Sequence, residues 1–135
     1  MLYFQNAAAH LTLHSAGSYI QVDWQAGAQP EVLVQQAMNH VLEGLLQQGW
    51  QKVLNQQRHK AAFSIELQAW ITLDWRPRAL QAGYRYGAFV QAQDVLAQLA
   101  TLSLLQGHSA PWPRYHFCAS ETAAQHWLDQ QPRVP

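Results

Sequence analysis

With 135 residues, one cysteine and a formal net charge of zero, the chain is sized for one domain, residues 1–135, and lacks the basic excess that nucleic-acid binding requires. Only 12% of the residues are charged, and twenty glutamines provide much of the polarity instead. The lone Cys118 cannot form an internal disulfide, no apolar run approaches the ~20 residues of a membrane span, and no signal-peptide pattern is present, so we expect a cytoplasmic protein.

The first predicted element is a β-hairpin over residues 9–24. Apolar residues alternate with polar ones in both strands, at Leu11 and Leu13 and then at Ile20, Val22 and Trp24. Such two-residue alternation is typical of half-buried strands. The preceding residues, 2–6, are similar to a viral protease site used to remove purification tags. We read no function into this segment, which is either native or a tag remnant.

A long helix and a short strand are predicted next. Pro30 suits the first turn of the helix, because a missing N–H costs nothing there, and Gly49 is typical of the left-handed residue that ends a helix. Between them, apolar residues recur about every four positions from Leu33 to Leu46 and predict one broad buried face. Lys52 to Asn55 has the composition of a strand.

The second helix is predicted to begin at Ser64, whose side chain can cap it, and to continue through Trp70 and Ile71. We expect Pro77 to end or kink this helix, because the residue before a proline avoids helical geometry. A brief further helical turn would follow.

The C-terminal part of the chain is predicted as strand, helix, strand and helix. The strands cover Tyr84 to Val90 and Tyr115 to Cys118. Asp94 caps the third predicted helix, which runs to Gly107, and Ser120 caps the fourth. The positions expected to face the core are Val95, Leu96, Leu99, Leu102 and Leu105 in the third helix, and Ala123, Ala124, Trp127 and Leu128 in the fourth.

This order of elements predicts the α/β class. Strands that alternate with helices imply parallel pairing, and the hairpin supplies an antiparallel edge. We therefore expect a mixed sheet of about five strands, antiparallel at the edge hairpin and otherwise parallel, covered by four helices.

Several segments resemble the bacterial STAS/SEC14-like domains, relatives of anti-sigma-factor antagonists and of the lipid-transfer fold. The segments are Tyr19-Ile20-Gln21-Val22-Asp23-Trp24, Trp70 through Trp75-Arg76-Pro77-Arg78-Ala79, Gly83-Tyr84-Arg85, and Phe117 followed by Glu121, Ala123, Ala124, Trp127 and Leu128. The resemblance implies a STAS-like fold and a small regulatory or binding module, with no catalysis and no cofactor. Phosphorylated antagonists carry an Asp-Ser pair where Asn55-Gln56-Gln57-Arg58 stands here, so phosphoswitching is not expected.

Two pairs of residues are candidates for a metal site and a catalytic site, and neither pair has the required arrangement. His10 and His14 share a strand face but lie about 13 Å apart, too far to share a zinc ion that holds nitrogen ligands at about 2 Å. His116 and Cys118 also share a strand face, yet a strand-interior cysteine is usually a small core residue and no third orienting group is evident. We predict neither a metal site nor a catalytic site.

Arginines gather around residues 73–90 and leave two interpretations open. Asp74 and Arg78 can form an ordinary helical ion pair, and Arg76 can solvate the end of a helix. In the alternative, a ligand or partner site at a helix end contains Arg58, His59, Trp75, Arg76, Arg78 and Tyr84. The loop of Arg58 and the start of the strand at Tyr84 are expected at opposite sheet edges, which weakens a single anion pocket.

Three functions follow from these observations. The leading hypothesis is a non-enzymatic regulatory module that binds a protein partner and self-associates as a homodimer, because zero net charge gives little self-repulsion. The alternative is a carrier of a small apolar or lipid-like ligand, with the uncharged helix from Val95 to Leu105 lining the cavity. An enzyme comes third. An enclosed apolar cavity or a filled core would discriminate between the first two.

Overall fold

The computed structural model describes residues 1–106 and 111–135, which form a six-stranded mixed sheet. In order across the sheet, the strands are β1 (Leu2–Gln5), β2 (Ala9–His14), β3 (Tyr19–Trp24), β4 (Lys52–Gln56), β5 (Tyr86–Val90) and β6 (Arg114–Cys118). The pairs from β1 to β3 are antiparallel, and those from β3 to β6 are parallel. The predicted α/β class, with an antiparallel edge and an otherwise parallel sheet, is confirmed.

The helical segments are α1 (Glu31–Gln48), α2 (Ile65–Trp70), a π turn (Ile71–Trp75), α3 (Arg76–Gln81), α4 (Val95–Leu105) and α5 (Glu121–Asp129). Because α2, the π turn and α3 are continuous, they form one helix and the predicted total of four is confirmed. The predicted end of the third helix at Gly107 lies outside the described residues. Within residues 1–106 and 111–135, no helix has the length and apolar character needed to span a membrane.

β1 adds a sixth strand that sequence reasoning does not give. Its residues pair antiparallel with β2, and the ring of Phe4 stacks on His40 of α1 with ring centroids 3.8 Å apart. Four residues with a register shift after Leu2 show no clean alternation, so the pattern carries no strand signal.

The predicted helix caps are confirmed. The side-chain oxygens of Ser64, Asp94 and Ser120 each accept a hydrogen bond from the backbone N–H three residues later, at 3.1, 2.9 and 3.1 Å. Gly49 ends α1 with φ of 67°, a left-handed conformation that glycine adopts without a steric penalty. These local signals therefore fix where three helices begin and where α1 ends.

Pro77 does not end the second helix, so the predicted ending is wrong, whereas the predicted further helical turn is present as α3. Arg76, which precedes it, is helical with φ of −58° and ψ of −46°, and its N–H bonds to the Ile71 carbonyl five residues back. The π turn widens the helix there, and Pro77 follows it as the second residue of α3. A proline is thereby accommodated inside a continuous helix.

The two faces of the sheet bury separate clusters. On one, here called the α1 face, Val53 of β4 packs with α1, α2 and the π turn. On the other, the α5 face, Leu54 packs with Ala124 and Leu128 of α5. Adjacent residues of β4 point to opposite faces, as the strand pleat requires.

The predicted inner face of α4 is wrong for four of its five residues, whereas the fifth, Leu105, is half-buried. Val95, Leu96, Leu99 and Leu102 are 64, 68, 57 and 37% exposed, and the buried residues of the helix are Ala97 and Thr101. Side chains on α4 are uncharged all around, so hydrophobicity alone does not select a face. The helix instead places its smallest side chains against the α1 face.

Candidate functional site

A cavity lies on the α1 face, between the sheet and the helices from α2 to α4, and we call it the α4 cavity. Its wall is mostly apolar and includes Val22, Val53, Ile71, Trp75, Phe89 and Leu104. The positions on the strands and on the π turn follow local rules. The strand residues alternate toward this face, whereas Ile71 and Trp75 lie four residues apart on the π turn.

The volume of the α4 cavity is about 50 Å³, counted as the space that the centre of a water molecule can occupy. One water needs about 10–15 Å³ on this measure and about 30 Å³ of liquid, so the cavity has room for roughly three to five waters. That corresponds to about 100–150 Å³ of ligand, and an apolar cavity of about 150 Å³ holds benzene. A compact ring-sized molecule therefore fits, whereas a diacyl lipid does not.

Two cations and no carboxylate line the α4 cavity. Arg76 and Lys60 belong to the lining, and no aspartate or glutamate among the described residues does. Both cations are buried, at 8% and 4% exposed. The excess of cations over carboxylates in the lining makes the interior of the cavity electropositive. A buried charge without a charged partner is costly, so the cavity favours an anion.

Arg76 reaches the cavity from the first position of α3. Its Nη2 donates a 2.6 Å hydrogen bond to the carbonyl of Leu104, one of the last carbonyls of α4. Such carbonyls lack a partner within their own helix, and a cation at this end offsets the helix dipole. Arg76 thus ties the helix containing the π turn to the C-terminal end of α4.

Two tyrosine hydroxyls lie near Arg76. Burial raises the pKa of Tyr84 well above its ordinary value, and burial also raises the pKa of Tyr115, on which Arg76 acts in the opposite direction through its charge and a side-chain hydrogen bond. Both phenols therefore keep their protons at neutral pH and can donate hydrogen bonds. Arg76, Tyr84 and Tyr115 form a group of donors that we call the donor cluster.

Lys60 contributes the second cation. Its Nζ donates to the carbonyl of Ala61 at 3.1 Å and lies 3.8 Å from the ring centroid of Phe63. Burial lowers its pKa to about 8, an effect that the charge of Asp94 opposes. The ammonium is therefore held by a carbonyl, an aromatic face and the field of a carboxylate.

The structure brings together half of the predicted site residues. Trp75, Arg76 and Tyr84 all line the α4 cavity, although the first strand residue is Tyr86 and Tyr84 precedes β5. Arg58 and His59 are exposed on the loop after β4 and do not line it. From that loop, Gln57 and Lys60 enter the cavity instead.

Arg76 and Arg78 have different surroundings in the structure. Arg78 lies outside the cavity, and its Nη2 contacts Asp74 Oδ2 at 2.7 Å and Asn39 Oδ1 at 3.0 Å. The predicted ion pair between Asp74 and Arg78 is confirmed. Arg76 is buried, which contradicts the interpretation that it solvates the end of a helix.

Lys60 and Tyr115 are cavity residues that sequence reasoning missed. A lysine in a polar loop is usually solvated, so nothing in Arg58-His59-Lys60 marks its third residue as buried. Tyr115 offers a better signal. It alternates with His116 on β6, and Phe89 of the neighbouring strand meets its ring edge-on at 5.7 Å between centroids.

The pair His116 and Cys118 belongs to the α5 face and supports no thiol chemistry. Cys118 is buried, and burial raises the pKa of its thiol, which keeps it protonated. His116 stacks on Trp127 at 5.0 Å between ring centroids. Among the residues that the structure describes, no three histidine, cysteine, aspartate or glutamate side chains gather as a metal site.

Comparison with known proteins adds no relative. No protein-family profile, no curated protein and no solved structure matches the chain. Its function must therefore be argued from the α4 cavity and the surface around it.

Proposed function

We propose that this chain is a small non-enzymatic binding module whose α4 cavity holds a compact apolar ligand about the size of a substituted benzene ring. The observation that carries the proposal is a mostly apolar cavity with a few buried polar groups, the composition typical of small-molecule sites. Membership of the STAS/SEC14-like group is part of the proposal, and the order of strands and helices supports it. The volume favours a ligand smaller than a membrane lipid.

Ligand binding would be driven by removing apolar surface from water. Each buried methylene stabilises a complex by about 0.8 kcal/mol, so a ring-sized body provides several kcal/mol before the cost of association is subtracted. A dissociation constant of 1 mM corresponds to about 4 kcal/mol, so affinities no tighter than the millimolar range are the expectation for a neutral probe. The indole N–H of Trp75 donates to the carbonyl of Met38 at 2.9 Å, which makes it a local reporter at the wall.

The test is a titration of the intact chain with toluene and indole, followed by NMR and thermal unfolding. We expect the Trp75 indole resonance to shift and the melting temperature to rise with probe concentration, because a ligand of the native state stabilises it by mass action. Ala100→Leu, which fills the cavity from α4, should abolish both effects. Ser103→Leu makes a comparable apolar addition on an exposed position of the same helix and should preserve them.

The ligand-binding function would be rejected if neither the Trp75 resonance nor the melting temperature of the unmodified chain changed. Each probe would be tested up to its solubility limit. Equal binding by the Ala100→Leu and Ser103→Leu variants would place the site elsewhere and reject the α4 cavity as well.

A second candidate function, self-association, is favoured by the exposed apolar side chains of α4. Leu96 and Leu99 are three residues apart and more than half exposed, so they share one side of the helix. Because the net charge is zero, two copies of the chain do not repel each other electrostatically. We expect a dimer by sedimentation that Leu99→Glu converts to a monomer. A strict monomer at millimolar concentration would reject this candidate.

A further inference from the structure

We propose that the ligand of the α4 cavity is a monocarboxylate, whose carboxylate binds the donor cluster at Arg76 while its apolar body lies against Ile71 and Trp75. This inference rests on the proposed function, because it names the chemical class of the ligand in the same cavity. It excludes a purely hydrocarbon ligand as the preferred one.

Charge balance is the first argument. Arg76 is 8% exposed, and no aspartate or glutamate among the described residues makes an ion pair with it or lines the cavity. A guanidinium stays charged at any physiological pH, so the chain cannot relieve this burial by releasing a proton. A monoanion would supply the missing charge.

Donor geometry is the second argument. A guanidinium carries five N–H donors in a planar fork, and Arg76 directs Nη2 at the Leu104 carbonyl and a further hydrogen bond at Tyr115. The fork matches the two oxygens of a carboxylate. The phenol of Tyr84, protonated at neutral pH, lines the same cavity and adds a donor of a kind suited to an anion.

Comparison with Lys60 shows why Arg76 is the anchor. The ammonium of Lys60 already has the Ala61 carbonyl, the Phe63 ring and the field of Asp94. Arg76 has only neutral partners in the described structure: a carbonyl and a phenol. A single carboxylate is therefore drawn to Arg76, and the cavity volume limits the rest of the ligand to a ring or a short chain.

The experiment compares carboxylates with neutral molecules of the same shape by calorimetry at pH 7. The pairs are benzoate with benzyl alcohol and hexanoate with hexanol. We expect each carboxylate to bind the intact chain at least about tenfold more tightly than its neutral partner. Arg76→Met should remove this preference while it retains binding of the alcohols. Arg78→Met, the same change two residues later outside the cavity, should keep the preference.

If Arg76→Met fails to fold, an NMR measurement on the unmodified chain still tests the inference. Benzoate should shift the Arg76 Nε–H resonance more than that of Arg78, whereas benzyl alcohol should shift the Trp75 indole and leave Arg76 unchanged. Equal affinity of benzoate and benzyl alcohol would overturn the carboxylate inference and leave the proposed function standing. Binding of neither would overturn both. A preference that survives Arg76→Met in a folded variant would also overturn the inference.

Discussion

The last two helices, α4 and α5, use apolar residues in opposite ways. The nine residues of α5 bury Ala124 and Leu128 completely, whereas the eleven residues of α4 bury Ala97 and Thr101 and leave three large apolar side chains more than half exposed. α5 covers a filled cluster, and α4 covers a cavity. Apolar content therefore does not measure how firmly a helix is packed. What matters is which side chains meet the sheet.

Polar contacts, not leucines, orient α4. The N-terminal end is capped by Asp94, the hydroxyl of Thr101 donates to Gln57 Oε1 at 3.3 Å, and Arg76 bonds to the Leu104 carbonyl. α5 has polar contacts too, because Ser120 caps it and Glu121 accepts a hydrogen bond from Gln21 of β3 at 2.9 Å. Its clearer separation of apolar and polar sides adds a hydrophobic preference for one orientation, which α4 lacks.

The largest expected effect is a core deletion that contrasts the two helices. Leu128→Ala should lower the free energy of unfolding by about 2–5 kcal/mol, because it leaves a cavity in a filled cluster. Leu99→Ala removes the same atoms from an exposed position of α4 and should change it by no more than about 0.5 kcal/mol. Chemical denaturation measures both. Comparable losses in a sample that sedimentation shows to be monomeric would place Leu99 in the core of the chain and contradict the orientation of α4.

The buried lysine on the α1 face, Lys60, gives the next effect. Its pKa is about 8 in the folded chain, against 10.5 for a freely solvated lysine. Between these values the unfolded chain binds more protons, so the free energy of unfolding should rise with pH, by about 2 kcal/mol between pH 7 and pH 9.5. Denaturation across this range should show the rise contributed by Lys60, which Cys118 and the buried tyrosines partly oppose near pH 9.5 because burial raises their pKa values.

Lys60→Met should flatten that rise. Lys52→Met makes the same change at a partly buried lysine whose pKa burial lowers and Asp129 of α5 raises, and it should preserve most of the rise. Parallel pH profiles for the unmodified chain and Lys60→Met would show that Lys60 is solvated and contradict its burial.

The smallest effect compares the two helix caps. Ser120→Ala and Asp94→Ala each remove a bond to the N3 amide, which is typically worth about 1 kcal/mol. We expect Ser120→Ala to lower global stability by that amount. Asp94→Ala should lower it less and instead accelerate amide hydrogen exchange within α4, because a helix held by small side chains opens locally at low cost. Equal global losses without local exchange would contradict a loosely held α4.

Signals confined to neighbouring residues made most of the fold predictable. Alternation gave the β2–β3 hairpin, the caps at Ser64, Asp94 and Ser120 gave helix starts, and Gly49 gave the end of α1. Each depends on a contact within a few residues along the chain, so the sequence alone contains both partners.

Features that depend on distant contacts could not be predicted. Arg76 is buried where a carbonyl of α4, 28 residues away along the chain, receives its hydrogen bond. The charge of buried Lys60 is favoured by Asp94, which is also distant in the sequence. The α4 cavity exists because small residues of α4 face the sheet, and nothing along that helix selects them over its leucines. Only three of the six predicted site residues line the cavity, because residues that are close in the sequence form only part of the site.

The π turn determines which side chains of the following helix, α3, face the core. Leu67, Ile71, Trp75 and Ala79 are buried at intervals of four residues, although an α-helix advances about 400° in four residues and would carry such a repeat about 120° around its axis over three intervals. A turn closed five residues back holds more residues per revolution and cancels part of that drift. The extra residue in the π turn therefore keeps the side chain of Arg76 directed at the cavity. Arg78, two residues later, lies outside it.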